Sequence, residues 1–139
     1  MKNKKVFIYT DGGSRGNPGP AGVGVVIMDD KKKKKIKEMC KYIGEATNNT
    51  AEYSALICGL EEAIMLDADE IVVYMDSELV AKQMSGEYRV KNADIKPLFE
   101  KAVDILKKFK SFEIKHIERS KNKEADKLAN KAMNLASLF

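Results

Sequence analysis

The sequence predicts a single α/β domain built on a five-stranded mixed sheet, with three antiparallel strands followed by two parallel strands and with flanking helices. The 139 residues are 44% apolar, which suits one domain spanning residues 1–139 with a substantial core. Strand-like segments come first and helical segments follow. A short β-branched run then reappears after the first helical segment, as expected for a parallel strand reached by a helical crossover.

The N-terminal third is predicted to be an antiparallel meander with strands over residues 5–10, 22–28 and 34–43. A loop rich in glycine and proline is expected directly after Asp11, and a polar turn carries five consecutive lysines at 31–35. We interpret the lysines as a solvated hairpin tip, with a nucleic-acid-binding arm as the alternative.

The rest of the chain predicts four helices and two further strands. Apolar residues recur at helical spacing from Thr50 to Leu66, which indicates an amphipathic helix. Ile71 to Met75 is a continuous apolar run typical of an interior parallel strand. The later elements are predicted as helices over 77–84 and 95–109, a strand over 112–118 and a closing helix over 122–136.

Composition limits the classes of function. The chain has no run of 18 or more apolar residues and no apolar stretch at its start, so we expect a cytoplasmic protein without a membrane span. Cys40 and Cys58 lack partners at metal-ligand spacing, which suits a reducing compartment. The formal net charge of +4 is compatible with a polyanionic partner without requiring one.

Four acids lie at the boundaries of predicted elements. Asp11 and Asp76 each end an apolar strand, whereas Glu52 and Asp126 lie near the starts of long helices. Each position has a simpler explanation, because aspartate favours turns and helix caps, and acids in a first helical turn meet the positive end of the helix dipole. Since strand ends and helix starts can converge at one end of a sheet, the four together predict one cluster.

A carboxylate cluster without histidine or cysteine is a hard-oxygen site, suited to Mg²⁺ or Mn²⁺ and poorly suited to zinc. Such a cluster repels itself when empty, and two divalent ions bridged by shared carboxylates would neutralise it. Paired ions suit in-line displacement at a phosphodiester. The four acids are therefore typical of a metal-dependent phosphodiesterase.

Five short motifs follow one another along the chain with specific spacing. They are Thr10-Asp11-Gly12-Gly13, Gly16-Asn17-Pro18-Gly19, Thr47-Asn48-Asn49-Thr50-Ala51-Glu52, Asp76-Ser77 and Asn122-Lys123-Glu124-Ala125-Asp126. In this order they resemble the type 1 ribonuclease H family, from about Lys5 to the end of the chain. The resemblance implies the RNase H-like fold and endonucleolytic cleavage of the RNA strand of RNA–DNA hybrids, which leaves 5′-phosphate and 3′-hydroxyl ends.

The resemblance also implies roles for particular residues. Asp11, Glu52, Asp76 and Asp126 match the four carboxylates that bind two Mg²⁺ or Mn²⁺ ions. We expect the chain to act as a monomer on its hybrid substrate. The positions expected to contact that substrate are Gly12, Gly13, Asn17, Asn48, Asn49 and Ser77.

The chain departs from the family pattern at two places. Many members carry a mobile histidine in a glycine-rich loop before the last helix, whereas His116 lies in a segment that reads as continuous strand. We therefore expect His116 to be structural and assign the auxiliary catalytic role to Arg119 or another nearby cation. In addition, Ser85 to Ala93 is short where larger members insert a basic helix, and we expect no separate hybrid-binding module before Lys5.

Two alternative functions stay open at this point. One is a nucleic-acid-binding domain that keeps the fold without catalysis, although repelling carboxylates would not benefit a surface that only binds phosphates. The other is a related nuclease that also acts on double-stranded RNA, because one fold serves several nuclease classes.

Overall fold

The computed structural model describes residues 4–32 and 34–136. Its elements are β1 (Lys5–Ser14), β2 (Gly19–Met28), β3 (Lys35–Ala46), α1 (Asn48–Met65), β4 (Glu70–Met75), α2 (Glu78–Met84), α3 (Lys96–Leu106), β5 (Ser111–His116), a 3-10 turn (Arg119–Lys121) and α4 (Lys123–Ala136). The strands form one sheet in the order β3-β2-β1-β4-β5. β1, β2 and β3 pair antiparallel, whereas β4 and β5 are parallel to their neighbours. The predicted fold class is confirmed.

The main core lies between one face of the sheet and helices α1 and α3. Val6 and Ile8 of β1 and Val73 of β4 are completely buried, as are Leu56 and Leu60 of α1. Full burial of one such side chain contributes about 1.5–3 kcal/mol relative to exposure. The two central strands are therefore rigid supports for whatever side chains lie at their ends.

Helix α4 packs on the opposite face of the sheet, against β2. Gly24 of β2 makes this close approach possible, because a Cβ atom there would lie 2.1 Å from the carbonyl oxygen of Ala125. A neighbouring glycine of the same strand, Gly22, faces Ala132 in the same way. The glycines fix the start of α4, and with it Asp126, beside the end of β1.

The prediction of a loop directly after Asp11 is wrong, because β1 continues to Ser14. Gly12 and Gly13 pair with β2, and the irregular turn begins only at Arg15. A Cβ atom on Gly12 would lie 2.1 Å from the carbonyl oxygen of Ala51 in α1. Glycine here allows a helix to approach the strand closely and does not form the turn.

The observed ends of several other strands and helices differ from the predicted ends by a few residues. β3 runs on to Ala46 through Gly44, which has a positive φ of 83°. α3 ends at Leu106, and Phe109 is buried in the turn that follows. The 3-10 turn before α4 was not predicted. None of the helices within the described ranges is long and apolar enough to cross a membrane.

The lysine-rich segment forms the hairpin tip between β2 and β3. Its described members, Lys31, Lys32, Lys34 and Lys35, are exposed, as a solvated hairpin tip and a nucleic-acid-binding arm both require. Lys33 lies outside the described residues. Lys32 lies against the sheet, with its Nζ atom 4.6 Å from the centroid of the Tyr74 ring.

Candidate active site

Three carboxylates meet at one end of the sheet. Oxygen atoms of Asp11, Glu52 and Asp76 all lie within 4.8 Å of one another. The parallel pairing of β1 and β4 ends at Thr10 opposite Met75, so Asp11 and Asp76 are the next residues on two adjacent strands. The register of the parallel pair therefore brings these two acids together, as the sequence predicts.

Glu52 reaches the cluster from α1. The N-cap of this helix is Thr47, so Glu52 lies beyond the first turn, and the helix-dipole explanation of this acid is wrong. Its Oε1 atom accepts a hydrogen bond of 2.5 Å from the backbone N–H of Gly12. Gly12 thus allows helix α1 to approach β1 closely, and its N–H orients the carboxylate of Glu52 on that helix.

Asp76 is not the cap of the helix that follows it. That role belongs to Ser77, whose Oγ atom accepts a hydrogen bond of 3.2 Å from the N–H of Val80. The Asp76 carboxylate is instead turned to the cluster, where its Oδ2 atom accepts a hydrogen bond of 3.2 Å from Nδ2 of Asn122.

Asp126 borders the same cleft but is not one of the three acids that lie within 4.8 Å of one another. It lies in the first turn of α4, where it also meets the positive end of the helix dipole. Its side chain is among the groups that raise the pKa of Asp11, and its Oδ1 atom lies 3.4 Å from Nη2 of Arg119. The structure thus contains a compact triad with a fourth acid beside it.

Burial and mutual repulsion make Asp11 and Glu52 difficult to ionise. Asp11 and Glu52 are only 8% and 6% exposed. Burial is the largest cause that raises the pKa of Asp11, and the charges of Glu52 and Asp76 raise it further. Burial also raises the pKa of Glu52, against the opposing effect of the hydrogen bond from Gly12. A divalent cation bound among these groups would relieve the repulsion.

These pKa shifts predict how the stability of the metal-free protein depends on pH. A carboxyl group whose pKa is raised by folding binds more protons in the folded state than in the unfolded state. Above its ordinary pKa of about 4, the stability of the folded state therefore falls as the pH rises. In chelator, we expect the free energy of unfolding to fall with rising pH more steeply for the wild type than for Asp11→Asn. Urea unfolding at several pH values measures both slopes, and equal slopes would contradict this account.

The triad lies in an open cleft of about 420 Å³. Four of the six predicted substrate-contact residues line it, namely Gly12, Gly13, Asn48 and Ser77. The other two, Asn17 and Asn49, line an adjacent polar cavity of about 190 Å³. Oδ1 of Asn17 accepts a hydrogen bond of 3.1 Å from the N–H of Asn48, which connects the two cavities.

His116 and Arg119 differ in their positions relative to the cleft. His116 ends β5 opposite Met75, is exposed and is not among the described residues that line the cleft. The prediction that it lies in a strand is confirmed. Arg119 begins the 3-10 turn and lines the cleft, where its guanidinium faces Asp126.

Two asparagines beside the acids were not assigned a role from the sequence. Asn122 is almost completely buried and donates to both Thr10 and Asp76. Asn130 lines the cleft, and its Nδ2 atom donates to the carbonyl oxygen of Asp126 at 2.9 Å. The spacing of four residues between Asp126 and Asn130 places both on one helix face, a signal that could have found Asn130.

Comparison with known proteins identifies the family. A family model described as reverse transcriptase-like matches residues 9–132. The chain is 46% identical over 133 residues to the bifunctional protein Rv2228c of Mycobacterium tuberculosis, covering 96% of this chain and 36% of that protein. It is 34% identical to ribonuclease H of Trichodesmium erythraeum, covering 94% of this chain and 90% of that protein. The structure of LC11-RNase H1, a protein isolated from compost, in complex with an RNA/DNA hybrid matches at 47% identity with a TM-score of 0.88, covering 94% and 98% of the two chains.

The extent of these matches differs among the relatives. The chain spans about a third of the length of the mycobacterial protein, and nine tenths or more of the Trichodesmium enzyme and of the LC11-RNase H1 chain. The chain therefore belongs to the type 1 ribonuclease H family.

Proposed function

We propose that the chain cleaves the RNA strand of RNA–DNA hybrids endonucleolytically, leaving 5′-phosphate and 3′-hydroxyl ends. The observation that carries this proposal is the buried triad of Asp11, Glu52 and Asp76 in an open polar cleft. The hybrid bound to the related LC11-RNase H1 supports the substrate class.

The donor set fits Mg²⁺ or Mn²⁺. The triad offers only carboxylate oxygens, and none of the described residues that line the cleft is a histidine or cysteine. We propose that Asp11, Glu52, Asp76 and Asp126 hold two such ions. Asp11 and Asp76 are the most firmly fixed ligands, because they follow the paired residues of two buried strands.

Divalent ions held by these acids would supply a water of lowered pKa and would stabilise the negative charge that develops on the departing 3′ oxygen. The residues of the chain fix this chemistry in place. Glu52 is held by the N–H of Gly12, so its carboxylate is oriented before substrate binds. Asp126 lies on a helix start and is 29% exposed, which makes it the acid with the most freedom to move during turnover.

Recognition of RNA is assigned to the polar residues beside the triad. A 2′-hydroxyl both donates and accepts hydrogen bonds, and it distinguishes RNA from DNA. Amide side chains offer both kinds of partner. We propose that Asn48 in the cleft, with Asn17 and Asn49 in the adjacent cavity, contacts the hybrid through its side-chain amide, and that Gly12, Gly13 and Ser77 contact it from the lining of the cleft.

Arg119 is proposed to assist catalysis through its charge. We expect Arg119→Ala to lower kcat by about tenfold or more, which corresponds to about 1.4 kcal/mol in the activation barrier. His116→Ala is the matched control, since it removes an exposed side chain that does not line the cleft. Steady-state cleavage of a labelled hybrid measures both. Unchanged turnover in Arg119→Ala would remove this residue from the mechanism.

A substrate panel tests the proposed function as a whole. Labelled RNA–DNA hybrid, double-stranded RNA and double-stranded DNA are each incubated with Mg²⁺, Mn²⁺ or chelator. We expect cleavage of the RNA strand of the hybrid with either metal and none in chelator, because the triad then has no cation. Hybrid binding without cleavage under every condition would indicate the non-catalytic alternative, and cleavage of double-stranded RNA would broaden the substrate class.

A further inference from the structure

Asn122 occupies the junction between the 3-10 turn and α4, and only 1% of it is exposed. Its Nδ2 atom donates two hydrogen bonds, one of 2.9 Å to the carbonyl oxygen of Thr10 and one of 3.2 Å to Oδ2 of Asp76. Both partners are acceptors only, so the nitrogen of the amide must face them. The side chain thus connects the residue before Asp11 on β1 with the acid that follows β4.

The backbone of Asn122 extends this connection to the fourth acid. Its carbonyl oxygen accepts a hydrogen bond of 3.1 Å from the N–H of Asp126, and its N–H donates one of 3.0 Å to the carbonyl oxygen of Arg119. One residue therefore contacts Asp76 directly, holds the strand that carries Asp11 and begins the helix that carries Asp126.

We infer that Asn122 is a positioning residue that fixes Asp76, and the end of β1 beside it, in the geometry that divalent cations require. The inference rests on the proposed metal-dependent function and extends it to a residue that touches no reacting atom. Neighbouring carboxylates repel one another, and a side chain after the last strand residue has rotamer freedom to turn away. A buried N–H donor that holds one carboxylate oxygen opposes that movement.

The unpaired oxygen of the Asn122 amide also supports a role beyond stability. Its Oδ1 atom is buried and has no hydrogen-bond partner among the described residues. An unpaired buried acceptor is unfavourable, and an apolar side chain of similar size would avoid its cost. The position is therefore better explained by the two bonds that Nδ2 donates than by packing alone.

Partners that orient metal ligands typically contribute about 10- to 100-fold in metal affinity or activity. We expect Asn122→Ala to weaken Mn²⁺ binding to the free protein within that range. Asn122→Leu, which keeps the volume and removes the donor, should weaken it similarly while it preserves the packing. Tyr53→Phe is the matched control, because it removes a buried hydrogen bond of 2.6 Å to Gln83 between residues that do not line the cleft.

The test is calorimetric titration of each protein with Mn²⁺ alone, together with thermal melts that show that each variant is folded. Weakening of tenfold or more in each folded Asn122 variant, with Tyr53→Phe within twofold of the wild type, supports the inference. A loss of less than tenfold in any folded Asn122 variant overturns it and leaves the proposed function intact. A wild type that binds no Mn²⁺ and cleaves no hybrid would instead contradict the proposed function itself.

Discussion

Asp11→Asn is expected to lower the rate of hybrid cleavage by about 1,000-fold, a loss of the size that follows when one preorganised charge-stabilising group is removed. The substitution keeps the shape of the side chain and removes a charge from the centre of the acidic cluster. Asp11 interacts with all three of the other acids, because Glu52, Asp76 and Asp126 each raise its pKa. Single-turnover cleavage of a labelled hybrid at saturating Mg²⁺ measures the effect.

The same substitution is expected to stabilise the metal-free protein. Asparagine is neutral without taking up a proton, whereas Asp11 must be protonated on folding or repel its neighbours, and each unit of the raised pKa corresponds to about 1.4 kcal/mol. Asp104→Asn on α3 is the matched control, since its side chain is 77% exposed and does not line the cleft. Cleavage by Asp11→Asn at a rate within tenfold of the wild type would contradict the proposed role of Asp11 as a metal ligand.

Gly12→Ala is expected to have the largest effect on stability, a loss of about 3 kcal/mol or more, because overpacking against backbone cannot be relieved by a rotamer change. The new Cβ atom would lie 2.1 Å from the carbonyl oxygen of Ala51 and 2.6 Å from the N–H nitrogen of Glu52. Helix α1 would have to move away from β1, which would also separate Glu52 from the N–H that holds it. Urea unfolding measures the change in the free energy of unfolding.

Gly13→Ala is the control for that prediction. The adjacent glycine lies on the same strand, but its added Cβ atom would meet the Cε atom of Met133 at 3.2 Å. A methionine side chain is flexible and can yield, so we expect a loss under about 1 kcal/mol. Equal losses in the two variants would contradict the close approach of α1 to Gly12.

All three members of the triad were predicted from the sequence, and for Asp11 and Asp76 the prediction follows from local patterns and a topological rule. Ile71 to Met75 is short, apolar and β-branched, which indicates an interior parallel strand that ends at Asp76. An apolar run also leads to Asp11. Carboxyl ends of parallel neighbours lie at one edge of a sheet, so the two acids were expected side by side, and the register confirms it.

Features that depend on distant contacts could not be predicted in this way. Gly12 looks like a turn residue in the sequence, because nothing local shows that Ala51 approaches it from another helix. Asn122 belongs to the last of the five motifs, but the sequence does not indicate its buried contacts, since its partner Thr10 is 112 residues away. Pairing between strands and contacts between layers determine these roles, and a single sequence contains no direct record of them.

The most direct test of the account is anomalous diffraction from crystals grown with Mn²⁺ and a non-cleavable RNA–DNA hybrid. The account predicts two Mn²⁺ peaks in contact with carboxylate oxygens of Asp11, Glu52, Asp76 and Asp126, with a phosphate of the RNA strand beside them. Mn²⁺ bound away from these acids, or the DNA strand in place of the RNA strand at the cluster, would contradict it.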